Sequence, residues 1–461
     1  MRLLALAAAM LGAAASPSAS LLANVAAANG HAATVHLRAS GQRTIDGRRV
    51  TVTIDQLGAL RLFRRCVADV CEGWWFDGGR RWSFGLNGVP LPDVDDALTP
   101  VRRTLAAIVS YAFAEPAFRA AGGSVDDDGA FRWRVRAPQG AVLFVELDPA
   151  TLALRRVLDE NSDVLAEYGR EVRAGGAAFA LERRGLDEQS VDTVEAVDGP
   201  LAAPDGAPAT FAGSARVALG DEPLPIVPCT IAGRAARCLL DTGSTPSALA
   251  LPLVEALHLE PRGELEIAAF SRFATGFVET GPLTLGAARF ARARFAVVPA
   301  VRAARFDVVV GADLLARVHL VLDRAGAFAL TEAPRPGPQP GTFPLRFEAG
   351  VPLIETILGG VPERALLDTG DTATVSLGYA QYRRGPQWPI VGRGLASGIA
   401  GAADAFTVSI PELRLGGESL GPTRAEVNRV QDGAHLGIGI WKRCVVDVDL
   451  SRAEFGCALR R

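Results

Sequence analysis

The sequence predicts a mainly β protein: two similar lobes from an internal duplication, preceded by a separate α+β domain. Three observations carry this. A five-residue block recurs 127 residues further on, inside a longer matched repeat. Short alternating or β-branched segments broken by glycine-rich turns fill both copies. The region before them has its own strands, an amphipathic helix and most of the tryptophans. The expected division is a signal peptide over 1–20, an N-terminal α+β domain over 33–205, a first lobe over 208–331, a linker over 332–341 and a second lobe over 342–461.

At the start of the chain, Arg2 is followed by an apolar run from Leu3 to Ala15, closed by Ser16 and Pro17. A positive start, a short apolar stretch and a small-residue tail make a secretory signal peptide, with cleavage expected between Ala15 and Ala28. A membrane span needs about 20 apolar residues, and this run is shorter. No cysteine follows it to carry a lipid anchor. The expectation is an exported protein, periplasmic or secreted.

Strand-like alternation opens the next region at Arg49 to Ile54 and returns at Ala141 to Glu146. Between them, Val101, Leu105, Ile108, Val109 and Ala112 share one helical face, and Pro100 suits the first turn. Trp74, Trp75, Trp82 and Trp133 are expected in the core of a curved antiparallel sheet. An aromatic ligand groove is the alternative. Strand order and patterns such as Trp75-Phe76-Asp77-Gly78 faintly resemble the half-barrel of periplasmic lipoprotein carriers. A substrate-recruiting module, a pro-segment or a chaperone-like cover would fit such a domain.

Composition excludes one class of partner. The 461 residues carry 48 basic and 51 acidic side chains, a net charge of −3, with no long run of either sign. Nucleic-acid binding needs a basic patch, and none is present. The six cysteines fall as close pairs: Cys66 with Cys71, Cys229 with Cys238, and Cys444 with Cys457. Each pair can be centred on a hairpin turn, at Ala68-Asp69, Gly233-Arg234 and Leu450-Ser451, which puts its members on adjacent strands. Three local disulfides in an oxidising compartment are expected, with buried free thiols as the alternative. No CxxC occurs and the five histidines are scattered, so no metal site is expected.

The duplication is marked at three places. Leu239-Leu240-Asp241-Thr242-Gly243 recurs as Leu366-Leu367-Asp368-Thr369-Gly370. Upstream, Pro225-Ile226-Val227 recurs as Pro352-Leu353-Ile354, and Gly233 matches Gly360. Downstream, Val308 to Asp323 recurs as His435 to Asp449, with Gly311 on Gly437, Arg317 on Arg443 and Asp323 on Asp449. Four prolines between Glu332 and Gly341 deny that span a helix or a central strand, so it reads as an extended linker. The alternation from Arg289 to Val298 reads as strand. Short helices are expected near Leu251 to Leu257 and Asp313 to Arg317, the latter with an equivalent in the second lobe.

Each repeated Asp follows an apolar strand that would hold its carboxylate rigidly. The Gly two residues later permits a tight turn and close backbone approach. The Thr hydroxyl can satisfy buried backbone groups. Two such loops about a pseudo-twofold axis would bring the carboxylates together. Close carboxylates resist joint ionisation, so one keeps a proton and an acid and a base share one site. The alternative for the repeat is a pair of purely structural turns.

These motifs resemble the active-site signatures of aspartic proteases: Asp241-Thr242-Gly243-Ser244 and Asp368-Thr369-Gly370, with the downstream Val308-Val309-Val310-Gly311-Ala312-Asp313. Lobes of about 120 residues are more similar to retropepsin-like subunits fused in one chain than to the larger pepsin lobes, and exported bacterial proteins of that type are the nearest match. The resemblance covers 208–461. It implies an acid-protease-like, two-lobed β-barrel fold and an aspartic endopeptidase in which Asp241 and Asp368 activate water. Thr242, Gly243, Ser244, Thr369, Gly370 and Asp371 would support the loops, and no cofactor is implied. It also implies a peptide or polypeptide substrate and flap hairpins, for which Phe270 to Thr280 and Gly392 to Ala403 are the candidates. One chain carrying both aspartates needs no second copy, so a monomer is expected.

One residue departs from the family pattern: Asp371 stands where Ser, Ala or Thr is usual. Pointing inward, it would raise the apparent pKa of the pair. Pointing outward, it would be a turn residue, the favoured reading because Thr372 and Ala373 leave room for a shifted loop. The anomaly motivates a second reading, a protease-fold binding module without turnover. A third is a carrier acting through the N-terminal domain. His-Glu-x-x-His is missing, so metallo-hydrolase chemistry finds no support.

Overall fold

A computed structural model describes residues 19–459 apart from 31–33, 46–47, 68–69, 94–97, 130, 185–190, 269–271, 300–305, 335–340, 349 and 400. Most of the expected signal peptide and the linker's centre therefore lie outside the described residues. The chain is mostly strand and forms two compact units. The first comprises residues up to Arg64, Phe76–Gly79 and Asp96–Ala202. The second comprises Arg65–Trp75, Arg80–Asp95 and Ala203–Arg461. No described helix is long and apolar enough to cross a membrane.

In the first unit, six antiparallel strands from Ser124–Gly129 to Ala177–Arg184 follow one another in chain order. Their alternation has a physical cause: Trp133, Val135, Leu143 and Val145 point inward and are fully buried, while Arg134 and Arg136 between them are exposed. The helix Thr99–Val109 begins with Pro100 in its first turn and buries Leu105, Ile108 and Val109 in the same core. Ala112, expected on its face, starts a separate short turn of 3-10 helix. A helix over Ala19–Asn29 adds Leu22 and Val25 to that core. Its Asn29 side chain bonds Val25 O and Leu152 O at 2.9 and 3.1 Å.

The second unit holds both lobes. Each is a ten-stranded sheet, and a six-stranded sheet joins them. In the joining sheet Arg216–Ala218, Phe328–Glu332 and His319–Asp323 come from the first lobe. Cys444–Asp449, Glu454–Leu459 and Thr342–Pro344 come from the second. The seam is the antiparallel pair His319–Asp323 with Cys444–Asp449, crossed by a 2.7 Å contact between His319 Nε2 and Asp447 Oδ1. One continuous apolar core includes Leu240, Val310 and Leu320 of the first lobe with Leu367, Leu436, Trp441 and Phe455 of the second.

Each lobe begins with a tight hairpin. Ile226–Ile231 turns into Arg234–Leu240 through Ala232 and Gly233, both at positive φ. Val351–Leu358 turns into Val361–Asp368 through Gly359 and Gly360, likewise both positive. Two left-handed residues match the twist of a two-residue hairpin, which explains glycine at these places.

This register corrects two of the expected turn centres, while the third, Ala68-Asp69, lies outside the described residues. The turn is Ala232-Gly233, so Cys229 faces Ala236 and Cys238 faces Val227, and the disulfide runs diagonally. In the second lobe Cys444 faces Leu459 and Cys457 faces Val446, again a diagonal pair. Cys66 and Cys71 are also bridged. The Arg289–Val298 alternation is broken at residues 291–292 into the strands Ala288–Phe290 and Ala293–Val298. The helices at Leu251–Ala256 and Ala312–Leu315 form as expected, and the second lobe's equivalent, Ile438–Lys442, is 3-10.

The segment Arg80–Asp95 is tied to the first lobe by Asn87. Its amide donates to Asp313 Oδ2 at 2.7 Å and to Arg294 O at 2.9 Å, and its carbonyl accepts from Arg294 N at 2.8 Å. Asp313 also accepts from Ser247 N and Oγ. Burial nonetheless pushes its carboxyl above the usual range.

Candidate active site

Asp241 and Asp368 end equivalent strands at the centre of the two lobes. Arg234–Leu240 pairs in parallel with Val308–Val310, which pairs antiparallel with Ala248–Ala250 just past the Asp241 loop. The second lobe repeats this with Val361–Asp368, Ala434–Gly437 and Val375–Gly378. A strand clamped on both sides of its loop leaves the carboxylate little freedom.

The two loops grip each other. Thr242 N donates to Thr369 Oγ1 at 2.9 Å, and Thr369 N donates to Thr242 Oγ1 at 3.1 Å. Each hydroxyl then donates across the seam, Thr242 Oγ1 to Leu367 O at 2.5 Å and Thr369 Oγ1 to Leu240 O at 2.7 Å. Both threonines are fully buried.

The glycines face the opposite carboxylates. A Cβ on Gly243 would lie 2.5 Å from Asp368 Cγ, and one on Gly370 would lie 2.5 Å from Asp241 Cγ. Their own N–H groups hold the near carboxylates, Gly243 N to Asp241 Oδ1 at 3.0 Å and Gly370 N to Asp368 Oδ1 at 2.9 Å. The carboxylates are thereby brought into contact. Burial first, and the charge of Asp368 second, push the Asp241 carboxyl well above the usual range.

Ser244 and Asp371 occupy the same backbone place, each accepting a helix-start N–H, from Ala312 and Ile438 respectively, on its carbonyl. Their side chains differ in surroundings. Contrary to the favoured reading, Asp371 is turned inward: it accepts from Ala373 N at 2.9 Å and from the Ser376 hydroxyl. Burial, then the Asp368 charge, push its carboxyl up to about 6.

That value has a consequence for stability. An unfolded Asp titrates near 3.9, so the folded protein holds this proton more tightly and loses stability as pH rises from about 4 to about 6. Substituting Asp371→Ser, the first lobe's residue, is expected to raise stability by about 1–2 kcal/mol at pH 7 and to change little at pH 4. Thermal melts at the two pH values check this. Equal effects at both would contradict it.

By sequence, His435 is one of five scattered histidines and opens the second copy of the downstream repeat. Its Nδ1 lies 3.2 Å from Asp368 Oδ2. Strand register explains how it arrives there. In the first lobe, Leu239, Val309, Ala248 and Ala296 form one row across the sheet. In the second, the same row reads Leu366, His435, Ser376 and Glu426. The counterpart of His435 is thus Val309, in line with the sequence match of Gly311 to Gly437. Comparing the two rows position by position was the signal that could have found Ser376, Glu426 and His435.

Two hairpins, Arg262–Ala268 with Arg272–Thr280 and Ile390–Gly398 with Gly401–Ile410, stand at the flap candidates. Phe270 itself lies outside the described residues. Leu265, Ile267 and Phe273 of the first hairpin and Ile399 of the second pack on the first lobe's apolar row. Among the described residues, no group of His, Cys, Asp and Glu is arranged to hold a metal.

Solved structures that part of this chain matches include a retropepsin-like aspartic protease from Rickettsia conorii, at 15% identity and a TM-score of 0.21, covering 25% of this chain and 86% of that one. Another is the EIAV protease in complex with an inhibitor, at 25% identity and a TM-score of 0.18, covering 20% of this chain and 85% of that one. No curated protein matches the chain in sequence. Residues 227–314, the segment that carries Asp241 and its supporting strands, match the aspartyl protease family.

Proposed function

We propose that the chain is an exported aspartic endopeptidase in which Asp241 and Asp368 together activate water for peptide-bond hydrolysis. The observation that carries this reading is the reciprocal threonine grip, which holds two carboxylates in contact at the seam of the lobes. One carboxylate takes a proton from a water molecule as the water oxygen bonds to the carbonyl carbon. The opposite carboxyl protonates the carbonyl oxygen. Collapse of the resulting diol breaks the C–N bond, the amine leaves with a proton, and the pair again shares one proton. No covalent link to the protein and no cofactor enters these steps.

The family match over 227–314 and the two flap-placed hairpins support the same reading. Beside the second loop a cavity of about 530 Å³, lined by Thr372, Thr374, Thr407, Arg424, Glu426 and Lys442, offers room for a side chain of an extended substrate. Three disulfides suit an oxidising compartment and with it export. Both aspartates belong to one chain, which suits a monomer.

Cleavage of a mixed peptide library from pH 3 to 8, with Asp241→Asn as the control, tests the proposal. Products that vanish in the variant are expected. Silence of the unsubstituted protein across the range would favour the binding-module reading.

A further inference from the structure

The dyad is nearly symmetric in its backbone and sharply asymmetric in what stands behind it. Asp241 has Val309 at the position where Asp368 has His435. Asp368 accepts on both oxygens, from Gly370 N at 2.9 Å on Oδ1 and, when Nδ1 carries a proton, from His435 at 3.2 Å on Oδ2. Asp241 has the Gly243 N–H on Oδ1 and faces the Gly370 N–H and the Asp368 carboxyl, but its row holds no imidazole and is apolar: Leu239, Ala248, Ala296 and Val309 are buried together.

We propose, on the protease reading above, that His435 is a positioning residue: as an imidazolium bonded to Asp368 it keeps the single proton of the pair on Asp241. Asp368 is then the base that takes the proton of water, and Asp241 is the acid that protonates the substrate carbonyl. The pair is thereby assigned before substrate arrives.

The groups facing the imidazole favour its charged form. Asp368 comes from the strand before it, Asp371 from the loop beyond that strand, and Ser376 from the neighbouring strand, with Glu426 one strand further along the row. Burial opposes charge on His435, but the bond to Asp368 and the charges of Asp368 and Asp371 outweigh it, and the imidazole is held above its ordinary range. Asp241, facing the pair from the other lobe, is shifted toward its protonated form. Glu426 is likewise pushed up, by burial and then by the Asp371 charge, which limits the negative charge the row carries at acidic pH. A histidine packed only as filler would have no reason to sit within bonding distance of one carboxylate in a row that is otherwise polar on this side alone.

The test is the pH dependence of kcat/KM for the full-length protein and its His435→Val and His435→Gln variants, on a peptide the unsubstituted protein cleaves. Removing the cation makes the dyad harder to ionise, so the acidic limb is expected to move up by about 1–2 pH units in His435→Val. His435→Gln, which keeps a donor without the charge, should move it less than that in the same direction. A merely structural histidine would lower kcat or stability and leave the limb in place, and that result would overturn the proposal. A second measurement covers a valine variant that does not fold: nitrogen-15 titration of the histidines in the unsubstituted protein and in Asp368→Asn. The His435 midpoint should fall by about one unit in that variant, and an unchanged midpoint would overturn the pairing. Failure of the protease reading looks different, because the unsubstituted protein would then cleave nothing.

Discussion

Replacing Thr369 with valine is expected to lower the melting temperature of the two-lobed unit by about 4–24 °C. The substitution keeps the shape of the side chain and removes one hydroxyl. That hydroxyl accepts from Thr242 N and donates to Leu240 O, and all of these groups are buried at the lobe seam. Leaving a buried backbone donor or acceptor unpaired costs about 1–3 kcal/mol each, so two orphans cost about 2–6 kcal/mol. In a domain of about 150–250 residues, 1 kcal/mol shifts the melting temperature by about 2–4 °C. Thr369→Ser keeps the hydroxyl and should lose far less. Calorimetric melts of the three proteins check the claim, and equal melting of the Ser and Val variants would contradict it.

The largest effect on turnover short of removing a carboxylate is expected from Gly370→Ala. The added methyl would stand 2.5 Å from Asp241 Cγ and 2.7 Å from its Oδ1, well inside contact distance. Asp241 is short, and Gly243 N holds it from the other side, so relief requires moving the carboxylate itself. A misplacement of about 1 Å at a reacting group costs about 100-fold in rate. A loss of at least about 100-fold in kcat with little change in KM is therefore expected. Steady-state kinetics on one peptide decides it, and activity within a few-fold of the original would mean that the loops are further apart than described.

The paired aspartates were legible in the sequence because duplication wrote the same block twice, with matched glycines upstream and downstream. The helix at Thr99–Val109 was legible from its apolar spacing and Pro100. What stayed hidden has a common physical reason: it depends on register between strands distant in sequence. A one-residue difference in register moves the first hairpin turn to Ala232-Gly233. Asp371 could be read inward or outward until Ser376 was placed across from it. Asn87 carries no motif, so nothing in the sequence ties Arg80–Asp95 to a buried aspartate more than 200 residues away.

The central claim is that Asp241 and Asp368 act as one device, and the most direct measurement compares four full-length proteins on one cleaved peptide: unsubstituted, Asp241→Asn, Asp368→Asn, and both together. Members of a single catalytic unit are strongly non-additive. Each single variant is expected to lose at least about 1,000-fold in kcat/KM, with the double variant no worse than either. A single variant that keeps activity within tenfold, or losses that multiply in the double, would contradict a shared dyad.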